Sequence, residues 1–467
     1  MLTMLAIPLA LPASAERVLG AYIFARHGDR TAKVLKNTEL TELGYNEVFD
    51  TGSYYRTRYI HANSSQHIQG INENLVKLSQ ISASSPSDDV LQNSATAFLQ
   101  AIYPPAGKAS NEVLADGTTV QGPLDGYQLI PVATTSSGSN SEDTAWLQSS
   151  TDCRKAEVSS NNYYSSELYS SLLQSTKSVY YSISFLLNGT FNESAMTFKN
   201  AYSIFDYLKV GSIHNTTKGA TDDELHQLYL LANIEQYNLA YNSSETVRAI
   251  AGARLAGDVL QSLNKTVTSQ GKTKLGIQFG SYGTFLSYFG LAQLPATSDN
   301  FTGIPDYAST MAWELVTNST TEFPSPSELR VRFVFHNGTI SGSDAPTEYP
   351  LYGQSNGTIS WSDFVSQTKK IAVTSTAQWC QMCGNTAGQC AVYSNSTGPA
   401  STTGTAPAET TASEHGVSRP VAGAIGAMVT LAVVLGVEAL VLFLGRLQIR
   451  KQREDAEDEA DEENKTS

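Results

Sequence analysis

The stretch VLGAYIFARHGDRTAK, residues 18–33, constrains the fold more tightly than any other part of the chain. Residues 18–25 are a short apolar run rich in β-formers, which predicts a buried strand. The run ends abruptly in Arg26-His27-Gly28-Asp29-Arg30, so two guanidiniums flank one imidazole directly after the strand. Arginines at these positions offer planar, permanently charged forks that suit the non-bridging oxygens of a phosphomonoester. A neutral imidazole between them is a competent nucleophile toward phosphorus. Gly28 removes a side chain where the backbone must turn close to the ligand. The bland alternative is an exposed, salt-bridged loop.

Downstream, residues 39–60 read as a helix opened by Thr41, with Tyr45, Val48 and Phe49 on one face. Residues 89–103 predict a second helix, closed by Pro104-Pro105. Residues 132–145 are polar and loop-like, and residues 163–263 are mostly helical in pattern. Strands return at residues 274–280 and 329–335. Strands and helices therefore alternate around a long helical insertion, which predicts an α/β core with a helical second domain.

These pieces together resemble the histidine acid phosphatase family, the phytase-like branch of the histidine phosphatases. The likeness is carried first by Arg26-His27-Gly28-Asp29-Arg30-Thr31 after a strand. Leu40-Thr41-x-x-Gly44 and Gly52-x-x-x-Arg56-x-x-Tyr59 match the next segment of the family, and Ser94-Ala95, Phe98-Leu99 and Tyr103-Pro104 the one after. Later come Tyr307-Ala308-Ser309 leading to Glu314-Leu315, and Trp379-Cys380-x-x-Cys383-Gly384-Asn385. The resemblance implies a phosphoglycerate mutase-like α/β fold: a central mixed, mostly parallel sheet flanked by helices, with a smaller helical cap at roughly residues 130–265. It implies His27 as a nucleophile that forms a phospho-histidine, Arg26 and Arg30 as the phosphate clamp, and Asp29 as a support. No metal or organic cofactor is implied, because nucleophile and clamp are all side chains.

The same likeness marks three departures. The family's third arginine falls at Ser82, and residues 60–130 contain no arginine at all. Ser281 stands where the family has a second histidine, and Tyr282 where it has the proton donor. His61, His67, His214, His226, His336 and His415 lie outside that context and read as surface or cap residues. General acid help is worth ~10²–10⁴-fold, and one preorganised charge-stabilising donor ~10²–10³-fold. A phenol with a pKa of about 10 is a poor substitute donor. Two functions therefore compete: hydrolysis of a small phosphorylated substrate through phospho-His27, or a pseudophosphatase that retains the pocket for a phosphate-containing ligand. A purely structural surface glycoprotein is a third reading, resting only on the features below.

The chain opens MLTMLAIPLALPASAER, which reads as a secretory signal over residues 1–15; a buried first strand or helix is the alternative. Residues 421–445 are long and apolar enough to span a bilayer, with Glu438 as the one objection. Arg446, Arg450, Lys451 and Arg453 follow, placing that side in the cytoplasm and the bulk outside. A glycolipid-anchor signal competes, but the charged residues 446–467 argue against it. Residues 394–420 are rich in Ser, Thr, Ala, Pro and Gly and read as a stalk. Eleven Asn-x-Ser/Thr sequons precede the span, at Asn63, Asn188, Asn192, Asn215, Asn242, Asn264, Asn300, Asn318, Asn337, Asn356 and Asn395. Cys153, Cys380, Cys383 and Cys390 suggest two disulfides in any of three connectivities. Net charge is −14, of which the tail after Gly445 carries −3 (five basic, eight acidic residues) and Glu438 carries −1. The remaining −10 argues against a nucleic-acid partner.

Overall fold

Ten strands occur along the described chain: β1 (Arg17–Arg26), β2 (Ile81–Ser85), β3 (Glu112–Val113), β4 (Thr119–Val120), β5 (Val132–Thr134), β6 (Leu275–Gly280), β7 (Thr310–Thr317), β8 (Leu329–His336), β9 (Thr347–Glu348) and β10 (Thr358–Ser360). The computed structural model describes residues 16–134, 153–216, 219–342 and 344–394. The candidate signal at 1–15, the stalk from residue 395, the candidate span at 421–445 and the acidic tail lie outside the described residues. Among the described residues no helix is long and apolar enough to cross a membrane.

Eight strands form one mixed sheet in the order β10-β8-β7-β1-β6-β2-β5, with β9 beside β8. β1, β6, β2 and β5 are mutually parallel. β7 runs against β1 and β8 against β7, so β8 points the same way as β1 and five of the eight strands share one direction. β1 takes the centre because its apolar run is buried on both faces. Val18, Ala21, Ile23 and Ala25 join Tyr55, Phe98 and Ile102, from helices Glu42–Tyr55 and Asp89–Ile102. On the other face Leu19, Tyr22 and Phe24 meet Leu255 and Val259 of helix Ile250–Thr268 and Phe285 of helix Tyr282–Leu291.

The two early helices begin where their capping residues dictate. Thr41 accepts from Gly44 N, and Asp88 accepts from Leu91 N. A separate apolar cluster holds the helical layer together, with Tyr163, Tyr180, Phe198, Ile204, Leu208 and Leu228 at its centre. Helix Ile250–Thr268 belongs to the sheet face instead, so the helical layer ends earlier in the chain than residue 265. β7 was not anticipated, because Glu314 interrupts its apolar run. The buried carboxylate accepts from Arg58 Nε (2.8 Å), Tyr59 Oη (2.7 Å) and Arg332 Nε (2.6 Å), which offsets its desolvation.

The cysteines pair as Cys153–Cys383 and Cys380–Cys390, so Cys380-x-x-Cys383 does not close on itself. Among the described residues no His/Cys/Asp/Glu group could hold a metal ion. Ten of the sequon asparagines are described; nine are exposed and Asn242 is half-buried.

Candidate active site

The strand register sets the site. Arg26, the last residue of β1, lies opposite Gly280, the last residue of β6. His27 and Ser281 therefore leave neighbouring parallel strands at the same level, at their C-terminal ends, where open α/β sheets bind ligands. The loop after His27 folds back onto the start of helix Glu42–Tyr55. Thr41 N donates to Asp29 O (3.1 Å) and Thr31 N to Glu39 O (3.0 Å). A Cβ on Gly28 would lie 2.1 Å from Gly44 O, and one on Gly44 would lie 2.0 Å from Asp29 O. Gly28 is thus required by backbone contact with Gly44, a constraint the local sequence pattern did not show.

Arg26, His27 and Arg30 are all buried, so the exposed salt-bridged loop is excluded. They gather around the ring of Tyr307. The Arg26 guanidinium carbon lies 4.5 Å from that ring centroid, the Arg30 carbon 5.9 Å and the His27 ring 5.5 Å. His27 Nδ1 lies 2.8 Å from Gly28 O. A carbonyl only accepts, so Nδ1 carries the proton and Nε2 holds the lone pair of the neutral ring. Arg26 donates from Nη1 to Pro305 O and stacks between Tyr307 and Tyr282. Its buried Nε has no hydrogen-bond partner among the described residues. Arg30 is engaged by the helical layer: Nη1 pairs with Asp206 Oδ1 (2.9 Å) and Nη2 donates to Tyr202 Oη (3.1 Å).

Sequence reasoning missed the residues that hold this loop from outside. His214 Nε2 lies 2.6 Å from Asp29 Oδ2, which also accepts from Thr41 Oγ1 at 2.6 Å. His214 is therefore neither an ordinary surface residue nor a simple cap. Asp206 and His214 both belong to helix Ala201–His214, so one helix grips the loop twice, by an acid on Arg30 and by an imidazole on Asp29. A separation of 185 residues hid that pairing from any local pattern. Glu47 Oε2 accepts from Asp29 N (2.7 Å), and burial pushes its carboxyl up to about 7. Tyr307 was legible as part of the Tyr307-Ala308-Ser309 block; its neighbour Ala308 adopts φ +59° and donates its N–H to His27 O (3.0 Å).

The departures from the family pattern fall in two groups. Ser281 and Tyr282 lie where expected, buried at the strand end and at the start of helix Tyr282–Leu291. Tyr282 Oη donates to Gln236 Oε1 (3.0 Å) and its ring packs on Tyr202 (4.7 Å). Ser82 does not join them. It is exposed and pairs with Gly276, four residues before Gly280. At about 3.3 Å per residue that places it roughly 13 Å below the strand ends. Ser84 and Ser85 are the β2 residues nearest the site level.

Fold and site define a phosphatase-type α/β protein built around a strand-end histidine. Residues 20–336 match the family described as Histidine phosphatase superfamily (branch 2), and the chain belongs to that family. Among solved structures it is similar to the apo phytase of Hafnia alvei, with TM-score 0.50 and 11% identity over 80% of this chain and 99% of that one. It is also similar to the phytase from Citrobacter braakii (TM-score 0.48, 14% identity, 79% and 99% coverage). A third is the multiple inositol polyphosphate phosphatase of Bifidobacterium longum in complex with inositol hexasulfate (TM-score 0.42, 11% identity, 78% and 96% coverage). No curated protein matches the sequence.

Proposed function

We propose that this chain is a membrane-anchored, extracellular phosphatase-like protein that captures a phosphomonoester at Arg26, His27 and Arg30. The observation that carries the reading is the His27 ring. Its Nδ1–H is committed to Gly28 O, which orients the Nε2 lone pair for attack, and Arg26 stands beside it with an Nε that has no hydrogen-bond partner among the described residues. In the reaction Nε2 attacks phosphorus, the bond from phosphorus to the ester oxygen breaks, and that oxygen takes a proton from solvent water and leaves as the alcohol. Water then attacks the phospho-histidine, releasing phosphate and restoring neutral His27. No metal or organic cofactor enters these steps.

A second reading is favoured by one contact. Tyr282 occupies the proton donor's place, yet its hydroxyl is turned to Gln236. Losing that donor lowers turnover by ~10²–10⁴-fold, which leaves a pseudophosphatase that binds a phosphate-containing ligand. Phosphate release from an aryl phosphate by wild type beside His27→Ala decides between them. Release that His27→Ala abolishes supports catalysis; equal, negligible release from both supports binding alone. The external location is supported by exposed sequon asparagines, by four cysteines paired as two disulfides, and by the apolar run at 421–445.

A further inference from the structure

A cleft of about 930 Å³ runs between helix Asp222–Ala240 and the 299–305 segment, and His27 is not among its lining residues. That size is ordinary for a small-molecule site. One wall is a helical stripe bearing Leu230 and Ile234, one turn apart and 48% and 36% exposed. The other wall includes the half-buried rings of Phe335 and Tyr349. Asn300 stands on the rim in the sequon Asn300-Phe301-Thr302, in the 3-10 turn Asp299–Thr302. Its side chain is exposed and makes no hydrogen bond among the described residues, so the amide nitrogen is accessible to a transferase. Asn337, also on the rim and also in a sequon, is already in use: its Oδ1 accepts from Asp306 N (2.8 Å) and Ser309 Oγ (3.2 Å).

We propose that an N-linked glycan on Asn300 seats its first N-acetylglucosamine units in this cleft, as an internal ligand carried by the chain itself. The proposal rests on the export reading above. The chemistry matches on both sides. A pyranose ring offers an apolar face to aromatic and aliphatic walls, while its hydroxyls and acetamide reach polar groups such as Asn238 and Asp299. Each contact is weak, but a tether at the rim raises the local concentration to the millimolar range, so weak contacts suffice. The seated sugar also braces the segment that serves the active site. Ile304 N donates to Asn233 Oδ1 (2.9 Å), and Pro305 gives its carbonyl to Arg26.

The test uses the full chain from a eukaryotic secretory host, with occupancy at each sequon read by mass spectrometry and native cleavage by an endoglycosidase followed in time. Asn356, exposed and absent from the cleft lining, is the reference. The proposal expects the Asn300 glycan to be cleaved about tenfold more slowly than the Asn356 glycan, as about 1.4 kcal/mol of protection gives. Leu230→Glu, on an exposed wall position, should raise the rate at Asn300 and leave Asn356 unchanged. Equal rates at both sites would overturn the proposal, as would an empty Asn300 while other sequons are filled. If every sequon is empty, the export reading fails, and this inference falls with it.

Discussion

Replacing His214 with alanine tests how the nucleophile loop is held. His214 Nε2 sits 2.6 Å from Asp29 Oδ2, and Asp29 is fully buried. Its other oxygen, Oδ1, already has no hydrogen-bond partner among the described residues. Removing His214 leaves the carboxylate with Thr41 Oγ1 as its one side-chain donor among the described residues. A hydrogen bond to a charged group contributes about 1.5–3 kcal/mol, and breaking a fully buried pair costs about 3–5 kcal/mol. The His214 side chain is 29% exposed, so water replaces part of what is lost. We expect about 2 kcal/mol, close to a 30-fold change in the folding constant. Equilibrium denaturation of wild type, His214→Ala, Asp29→Asn and the double variant measures it. The two sites should couple by at least about 1 kcal/mol, and His214→Gln, which keeps a donor, should recover more than half of the loss. A His214→Ala cost below about 0.5 kcal/mol, or simple additivity across the cycle, would refute the pairing.

Burial raises the carboxyls of Glu47 and Glu235 from 4.5 to about 7. The native state keeps those protons while the unfolded chain releases them, so stability should fall as pH rises from about 4.5 to about 7, by up to about 3 kcal/mol for each group. Denaturant midpoints across that window check the slope, and Glu47→Gln or Glu235→Gln should each flatten it. The Cys153–Cys383 bridge closes a separation of 230 residues and Cys380–Cys390 one of 10. On loop entropy their loss should cost about 5 and about 3 kcal/mol respectively, and paired serine variants compared by thermal unfolding would show the order.

Local signals carried much of this architecture. The apolar run before Arg26 predicted β1, Thr41 predicted the start of helix Glu42–Tyr55, and Pro104 the end of Asp89–Ile102, because each works within a few residues. The grouping of Arg26, His27 and Arg30 was legible for the same reason. Long-range pairing was not legible. β7 looked unlike a buried strand because Glu314 is neutralised by Arg58 and Arg332, 256 and 18 residues away. His214 looked idle because Asp29 lies 185 residues before it. Ser82 was placed at the site by motif spacing, but strand register lowers it by four residues. The contact between Gly28 and Gly44 was not legible, because only the turn between them brings the two together.

The central claim is that Arg26, His27 and Arg30 form one oxyanion cradle. Calorimetric titration with orthovanadate, which adopts the five-coordinate geometry of phosphoryl transfer, tests it most directly. Wild type should bind, and Arg26→Gln should weaken binding by roughly 10- to 100-fold, the worth of one charge-assisted hydrogen bond. Equal affinity in the two proteins, or no binding by wild type, would contradict the account.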